Sequence, residues 1–278
     1  MRATHDEGFF SAQDGKRLYW QSDMPPQPLA DVAMVHGYGD HSGRYVRLRR
    51  ALTEAGLAAH GFDYRGHGRS DGARGHCKAF SEFADDLERF WTRVRENSAG
   101  RKTFLFAHSH GVLVALDWLS RKPGGVQGLV LSAPFLEFGF TPPPLKVLGA
   151  RVVGLALPSF PFQNALEVGQ LTRDTDIQRE TEQDALYHRV ATPAWFFQVR
   201  KAQAMLRTRA AQIHLPTFLF YGSEDPISAV GAMRSFFESL AAKDKTTKAY
   251  VGAKHETFHD LRRAEVERDI VKWISSRL

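Results

Sequence analysis

The chain has 278 residues, 43% of them hydrophobic and 24% charged; this excludes disordered, fibrous and disulfide-scaffold classes and fits one large α/β domain with an insertion, or two ordinary domains. Its formal charge of +6 comes from Lys and Arg scattered along the chain rather than gathered into one run, which argues against nucleic-acid binding and leaves weak adhesion to anionic lipid open. The single cysteine, Cys77, excludes an intramolecular disulfide, so a reduced compartment such as the cytoplasm is expected.

In chain order, residues 1–10 lack the apolar centre of a signal peptide. No later stretch approaches the roughly 18 uninterrupted apolar residues of a membrane helix. Residues 9–22 alternate around Asp14-Gly15, a hairpin turn dipeptide, and read as two antiparallel edge strands. Past the turn at Pro25-Pro26-Gln27-Pro28, short apolar runs alternate with helix-period segments: strand 32–35, helix 45–55, strand 58–62 and helix 80–94. In the last of these, Phe80, Phe83, Leu87, Phe90, Trp91 and Val94 share one face, a core stripe. Strand 103–106, a helix over about 110–120 and strand 129–131 follow; strand 217–221, a helix near 230–240, strand 247–251 and an amphipathic C-terminal helix close the chain. Such alternation implies βαβ units and a mostly parallel sheet.

Between Ser132 and about Leu215 the alternation breaks and Phe, Pro and Leu dominate. A structureless loop of that length is implausible in a folded domain, so residues 135–212 are read as a helical cap inserted into a core made of 1–134 and 213–278. Residues 145–157 mix apolar side chains with Lys146 and Arg151; buried cap core is the ordinary reading of such a stripe, membrane contact the alternative.

Strand 103–106 runs into Ala107-His108-Ser109-His110-Gly111 and then an apolar helix, the strand–turn–helix setting of a nucleophile elbow. The pentapeptide alone would occur by chance about 0.1–0.3 times in such a chain; its context carries the weight. Ser109 as a plain helix cap is the competing reading. A serine hydroxyl needs a histidine to take its proton and a carboxylate to orient that histidine. Strand 217–221 ends in Gly222-Ser223-Glu224-Asp225-Pro226 and strand 247–251 leads into Gly252-Ala253-Lys254-His255-Glu256. Both place candidates at carboxyl-terminal strand ends, where α/β proteins put functional residues. Asp225 is preferred to Glu224 and His255 to His259, giving the order Ser, acid, His. After the first central strand, Val35-His36-Gly37-Tyr38-Gly39 offers a backbone donor for a developing oxyanion, so the N–H groups of Tyr38 and His110 are the expected pair.

A metal site on His36, His41, His108 and His110 is the alternative for the histidines, but no spacing matches a zinc signature. A serine mechanism needs neither metal nor cofactor. Cys77, beside His76 in a polar stretch, lacks the context of a nucleophile.

These residues resemble the monoacylglycerol lipase and lysophospholipase group of α/β-hydrolases, also classed with serine aminopeptidases. The resemblance rests on His36-Gly37-Tyr38-Gly39-Asp40-His41-Ser42-Gly43-Arg44-Tyr45, Asp63-Tyr64-Arg65-Gly66-His67-Gly68-Arg69-Ser70, Leu131-Ser132-Ala133-Pro134 and the segment around His255, with cap matches at Leu171-Thr172-Arg173-Asp174 and Asp184-Ala185-Leu186-Tyr187-His188. It implies the α/β-hydrolase fold, with about eight strands and a lid, and esters of single fatty acids as substrates. It also puts Asp40 and Arg44 near the alcohol-binding side, where either could equally be a structural partner in the loop. Two positions depart from the group: Ala107 stands for the elbow's first glycine and His110 for the methionine common after the nucleophile. The rivals are a carboxylesterase for short esters, an acyltransferase using the His255 and Asp260 H-x4-D spacing, and a silent binding module on the same fold.

Overall fold

The computed structural model describes residues 3–164 and 166–278. The opening hairpin, β1 (Thr4–Ser11) and β2 (Arg17–Met24), is longer than the alternation around its turn suggested. The parallel strands follow: β3 (Ala30–Val35), β4 (Leu57–Phe62), β5 (Thr103–His108) and β6 (Val126–Ser132). Every residue of β3, β4 and β5 is buried, as expected for central strands covered on both faces.

Helix α1 (Val46–Glu54) links β3 to β4, α2 (Ser81–Asn97) links β4 to β5, and α3 (His110–Leu119) links β5 to β6. The predicted stripe of α2 is buried from Phe83 to Val94, while Phe80 is buried just ahead of the helix, at its cap.

After β6 the chain leaves the sheet for α4 (Pro144–Ala156), the two-residue strand β7 (Phe162–Gln163), α5 (Val168–Leu171), α6 (Thr175–Gln183), the strand β8 (Val190–Ala191) that pairs antiparallel with β7, and α7 (Pro193–Leu206). It returns in β9 (Thr217–Gly222), α8 (Val230–Ser239), β10 (Lys245–Tyr250) and α9 (Arg263–Ser275).

The eight-stranded sheet has the order β1-β2-β4-β3-β5-β6-β9-β10. Only the β1–β2 and β2–β4 pairings are antiparallel. One apolar layer joins the sheet to α2, α3, α8 and the inserted helices α5 and α7, the other joins it to α1 and α9. Because β4 and β5 lie on opposite sides of β3, their connections leave in opposite directions and open a crevice at the carboxyl ends of β3 and β5. Ligand sites of open α/β sheets form at such switch points. Gly37 and Tyr38 follow β3 there, and Ser109 follows β5.

The reading of 145–157 as buried core is corrected. Among the described residues α4 has none buried, and Leu145 and Leu155 are 83% and 85% exposed. Helical spacing shows that one face is apolar but not what covers it. Cys77 is likewise not in an open polar loop: it is buried in the larger core layer, and burial pushes its thiol up to about 12, which makes it a poor nucleophile.

Candidate active site

Strand β5 ends at His108 and α3 begins at His110, so Ser109 alone makes the turn, at φ 53° and ψ −117°. A side-chain-bearing residue at such positive φ costs about 1–3 kcal/mol and persists only where its surroundings over-determine it. They do so here. Ser109 N–H donates to the Ser132 carbonyl at 2.8 Å, and the Ser109 carbonyl accepts from Val112 N–H at 3.0 Å and Phe135 N–H at 3.3 Å. Gly111 makes the turn possible: a Cβ there would lie 2.3 Å from the His36 oxygen. Only glycine lets α3 start against the end of β3. Ala107, where the group it resembles has glycine, lies inside β5 opposite Val35, its methyl absorbed by the larger core layer.

Ser109, His255 and Asp225 stand in one hydrogen-bonded line. Ser109 Oγ is 2.8 Å from His255 Nε2, and His255 Nδ1 is 2.7 Å from Asp225 Oδ2. The other oxygen of Asp225 accepts from the N–H groups of Ile227 at 2.8 Å and Ser228 at 3.0 Å. As a carboxylate Asp225 can only accept, so His255 carries its proton on Nδ1 and turns the Nε2 lone pair toward Ser109. Burial disfavours charge on His255, but Asp225, helped by the charges of Glu256 and Asp40, outweighs it and raises the imidazole above its ordinary value. The line is therefore built to stabilise an imidazolium. His108, whose ring lies 4.9 Å from that of His255, is held down to about 3 by burial and by His255 itself; it stays neutral and does not oppose that charge.

The N–H groups of Tyr38 and His110 have no protein partner among the described residues; His110 opens α3, where the first N–H groups are left free. The Tyr38 side chain is tied to the inserted segment. Its ring stacks on Trp195 of α7 with centroids 3.8 Å apart, its hydroxyl donates to the Val190 carbonyl, and the neighbouring Gly39 carbonyl accepts from His188 N–H at 2.9 Å.

The remaining candidates fall elsewhere. Glu224 donates its backbone N–H to Ala253 and takes no part in the line. His259 bonds Glu256 through Nδ1 at 2.9 Å and faces the Arg44 carbonyl through Nε2 at 2.9 Å. Asp260 receives the guanidinium and backbone N–H of Arg173, an anchor between α6's approach and the loop of His255. Asp40 and Arg44 are engaged by protein groups: Arg44 reaches Asp40 at 3.0 Å, Glu256 at 2.9 and 3.0 Å and Thr181 at 2.9 Å, while Asp40 also accepts from the Tyr45 hydroxyl at 2.8 Å. Burial alone would raise the Glu256 carboxyl, but Arg44 and His259 hold it well below the usual range. In the sequence only its adjacency to His255 points to Glu256. Among the described residues no group of His, Cys, Asp or Glu is placed to hold a metal.

This sheet order, with a Ser–His–Asp line at the switch-point crevice, defines an α/β-hydrolase. The family model described as "Serine aminopeptidase, S33" matches residues 26–262. The chain belongs to that family. It is 29% identical over 283 residues to a monoacylglycerol lipase of Mycolicibacterium smegmatis, covering all of both chains. It is 30% identical to the monoglyceride lipase of Homo sapiens over 95% of this chain and 88% of that one. A solved monoacylglycerol lipase of Paleococcus ferrophilus superposes with a TM-score of 0.81 at 31% identity, covering both chains completely.

Proposed function

We propose that the protein is a carboxylic ester hydrolase for esters of single fatty acids, monoacylglycerols or lysophospholipids, acting through an acyl-enzyme on Ser109. The observation that carries this reading is the line Ser109–His255–Asp225 beside two unpartnered backbone N–H groups; the names of the relatives support the substrate class.

Ser109 Oγ attacks the ester carbonyl while its proton passes to His255 Nε2. The carbonyl oxygen takes the negative charge and is met by Tyr38 N–H and His110 N–H. His255 returns the proton to the departing alkoxide and leaves the acyl group on Ser109. Water then attacks the acyl carbon, its proton going to His255 and from there to Ser109 as the fatty acid departs. Asp225 holds the Nδ1 proton throughout, so that the neutral imidazole accepts at Nε2 and the imidazolium is stabilised. Asp40 and Arg44 serve the alcohol side by holding the loop after β3 against the loop of His255.

Residues 135–212 form the cap over this site, around core segments 1–134 and 213–278. Leu145, Leu148, Val152 and Leu155 recur at helical spacing, all exposed, with Lys146 and Arg151 on the same helix. That stripe supports peripheral contact with a membrane from which a lipid ester would enter. No helix among the described residues is long and apolar enough to cross a membrane. The single cysteine supports a cytoplasmic enzyme, working at a lipid surface.

The test is a panel of esters crossing acyl length with glycerol, phosphocholine and simple alcohol leaving groups, offered in solution and in vesicles. Each buried methylene is worth about 0.8 kcal/mol, roughly fourfold in affinity, so kcat/KM should rise by at least about tenfold from acetyl to dodecanoyl esters. Paired Leu148→Asp and Leu155→Asp changes should lower activity on vesicle substrate and spare soluble esters. Activity that falls with acyl length would favour a short-ester carboxylesterase and overturn the lipid reading.

A further inference from the structure

The peptide that joins Gly37 to Tyr38 has an N–H without a protein partner among the described residues and a carbonyl that meets buried side chains. That carbonyl has two donors. The Tyr64 hydroxyl reaches the Gly37 oxygen at 2.7 Å, and His36 Nδ1 reaches it at 2.7 Å. A carbonyl only accepts, so His36 must carry its proton on Nδ1. The His36 and Tyr64 rings lie stacked, with centroids 4.0 Å apart, which fixes both donors.

A third group joins from the other side of the hole. His110 Nδ1 lies 3.1 Å from the Tyr64 oxygen. The hydroxyl proton of Tyr64 is committed to Gly37, so His110 donates Nδ1–H to Tyr64. Burial holds His110 down to about 3, so it is neutral and has a single proton to give. Its ring is packed edge-on against Phe80 and Phe83, which sets its direction. The chain of bonds runs His110 Nδ1–H to Tyr64 O–H to Gly37 C=O, and so ties the side chain of one proposed donor residue, His110, to the peptide that carries the N–H of the other, Tyr38.

We propose that Tyr64, His36 and the His110 imidazole are positioning residues that orient and polarise the Gly37–Tyr38 peptide as an oxyanion donor. In a planar trans peptide the N–H points opposite the C=O. Two donors on the carbonyl therefore aim Tyr38 N–H into the site, and a chain of hydrogen bonds strengthens its terminal donor. The inference rests on the reading of Ser109 as nucleophile. It gives the imidazole at 110, where the related group has methionine, a role in the transition state with no contact to substrate.

Tyr64→Phe removes one donor and keeps the stacked ring. It should lower kcat about tenfold, less than the 10²–10³ lost when an oxyanion donor is removed outright. KM should stay within about twofold, and a trifluoromethyl ketone, whose hemiketal oxyanion occupies the hole, should bind about tenfold more weakly in parallel. The acid limb of the pH profile, which reports His255, should not move. His110→Met keeps the Tyr64–Gly37 bond, so its loss should be about threefold, and adding it to Tyr64→Phe should cost nothing further because it acts through Tyr64. Parental kcat and ketone affinity in either single variant, or full additivity in the pair, would overturn the proposal. Ser109→Ala separates the two claims: parental turnover there overturns the hydrolase site itself, whereas loss there with full activity in Tyr64→Phe overturns only the relay.

Discussion

Ser109→Ala lowers ester turnover by about 10⁶, the loss found when the nucleophile of such a line is removed, while the protein stays folded. Nothing in the site replaces the lost oxygen. Cys77 is buried with its thiol raised to about 12; the neighbouring His108 and His110 are buried and neutral, each held down to about 3. The hydroxyl contributes little to stability, because its side-chain partner is the imidazole of His255, and alanine tolerates the positive φ of the turn about as well as serine does. Steady-state kinetics on a soluble ester beside thermal melting of the two proteins checks both halves. A variant retaining turnover within about tenfold of the parent contradicts the assignment.

Asp225→Asn should cost about 10⁴ in kcat, the size known for the equivalent change in a serine protease. The local bonds give the reason. One oxygen of Asp225 accepts from the N–H groups of Ile227 and Ser228, so the asparagine must place its own oxygen there and its NH₂ toward His255. That NH₂ can only donate, which forces His255 to accept at Nδ1 and carry its proton on Nε2, facing Ser109. The histidine can no longer take the proton of the nucleophile. The pH profile gives a second readout. In the parent, His255 is raised above 6.5, chiefly by Asp225 acting against burial. The general base must be neutral, so kcat/KM should fall as pH drops through that raised value and be full above it. Without the carboxylate, burial is opposed only by the weaker pull of Glu256 and Asp40, and the acid limb of the residual activity should move to lower pH. An unchanged limb would contradict the part given to Asp225.

The sequence carried the sheet and the chemistry unequally. Alternating apolar runs announced each central strand, because buried parallel strands read as continuous Val, Leu, Phe and Ala runs. Boundaries drifted by up to three residues at the ends of the central strands and by five at the start of β1: β5 takes in Ala107 and His108, which a hydropathy reading leaves to the turn. Ser109, Asp225 and His255 were legible since each follows a strand, and strand ends in such sheets converge on one crevice.

What stayed hidden depends on contacts between distant segments. Nothing in local pattern pairs Arg44 with Glu256, Tyr38 with Trp195, or Tyr64 with the Gly37 carbonyl, because each contact joins segments far apart in the chain: two core loops in the first and last, a core loop and the inserted segment in the second. Tyr64 did sit inside a quoted motif, yet a motif gives no direction to a side chain. The exposure of α4 was illegible for the opposite reason: an apolar helical stripe looks the same whether protein covers it or not.

The claim on which the account turns is that acyl transfer passes through Ser109. The direct measurement is mass spectrometry of the parent after reaction with a fluorophosphonate, followed by peptide mapping. The account predicts one adduct per chain, on the peptide that contains Ser109, formed in step with loss of ester hydrolysis and absent from Ser109→Ala. Full inactivation with the adduct on any other residue, or hydrolysis that continues once Ser109 is fully labelled, would contradict it.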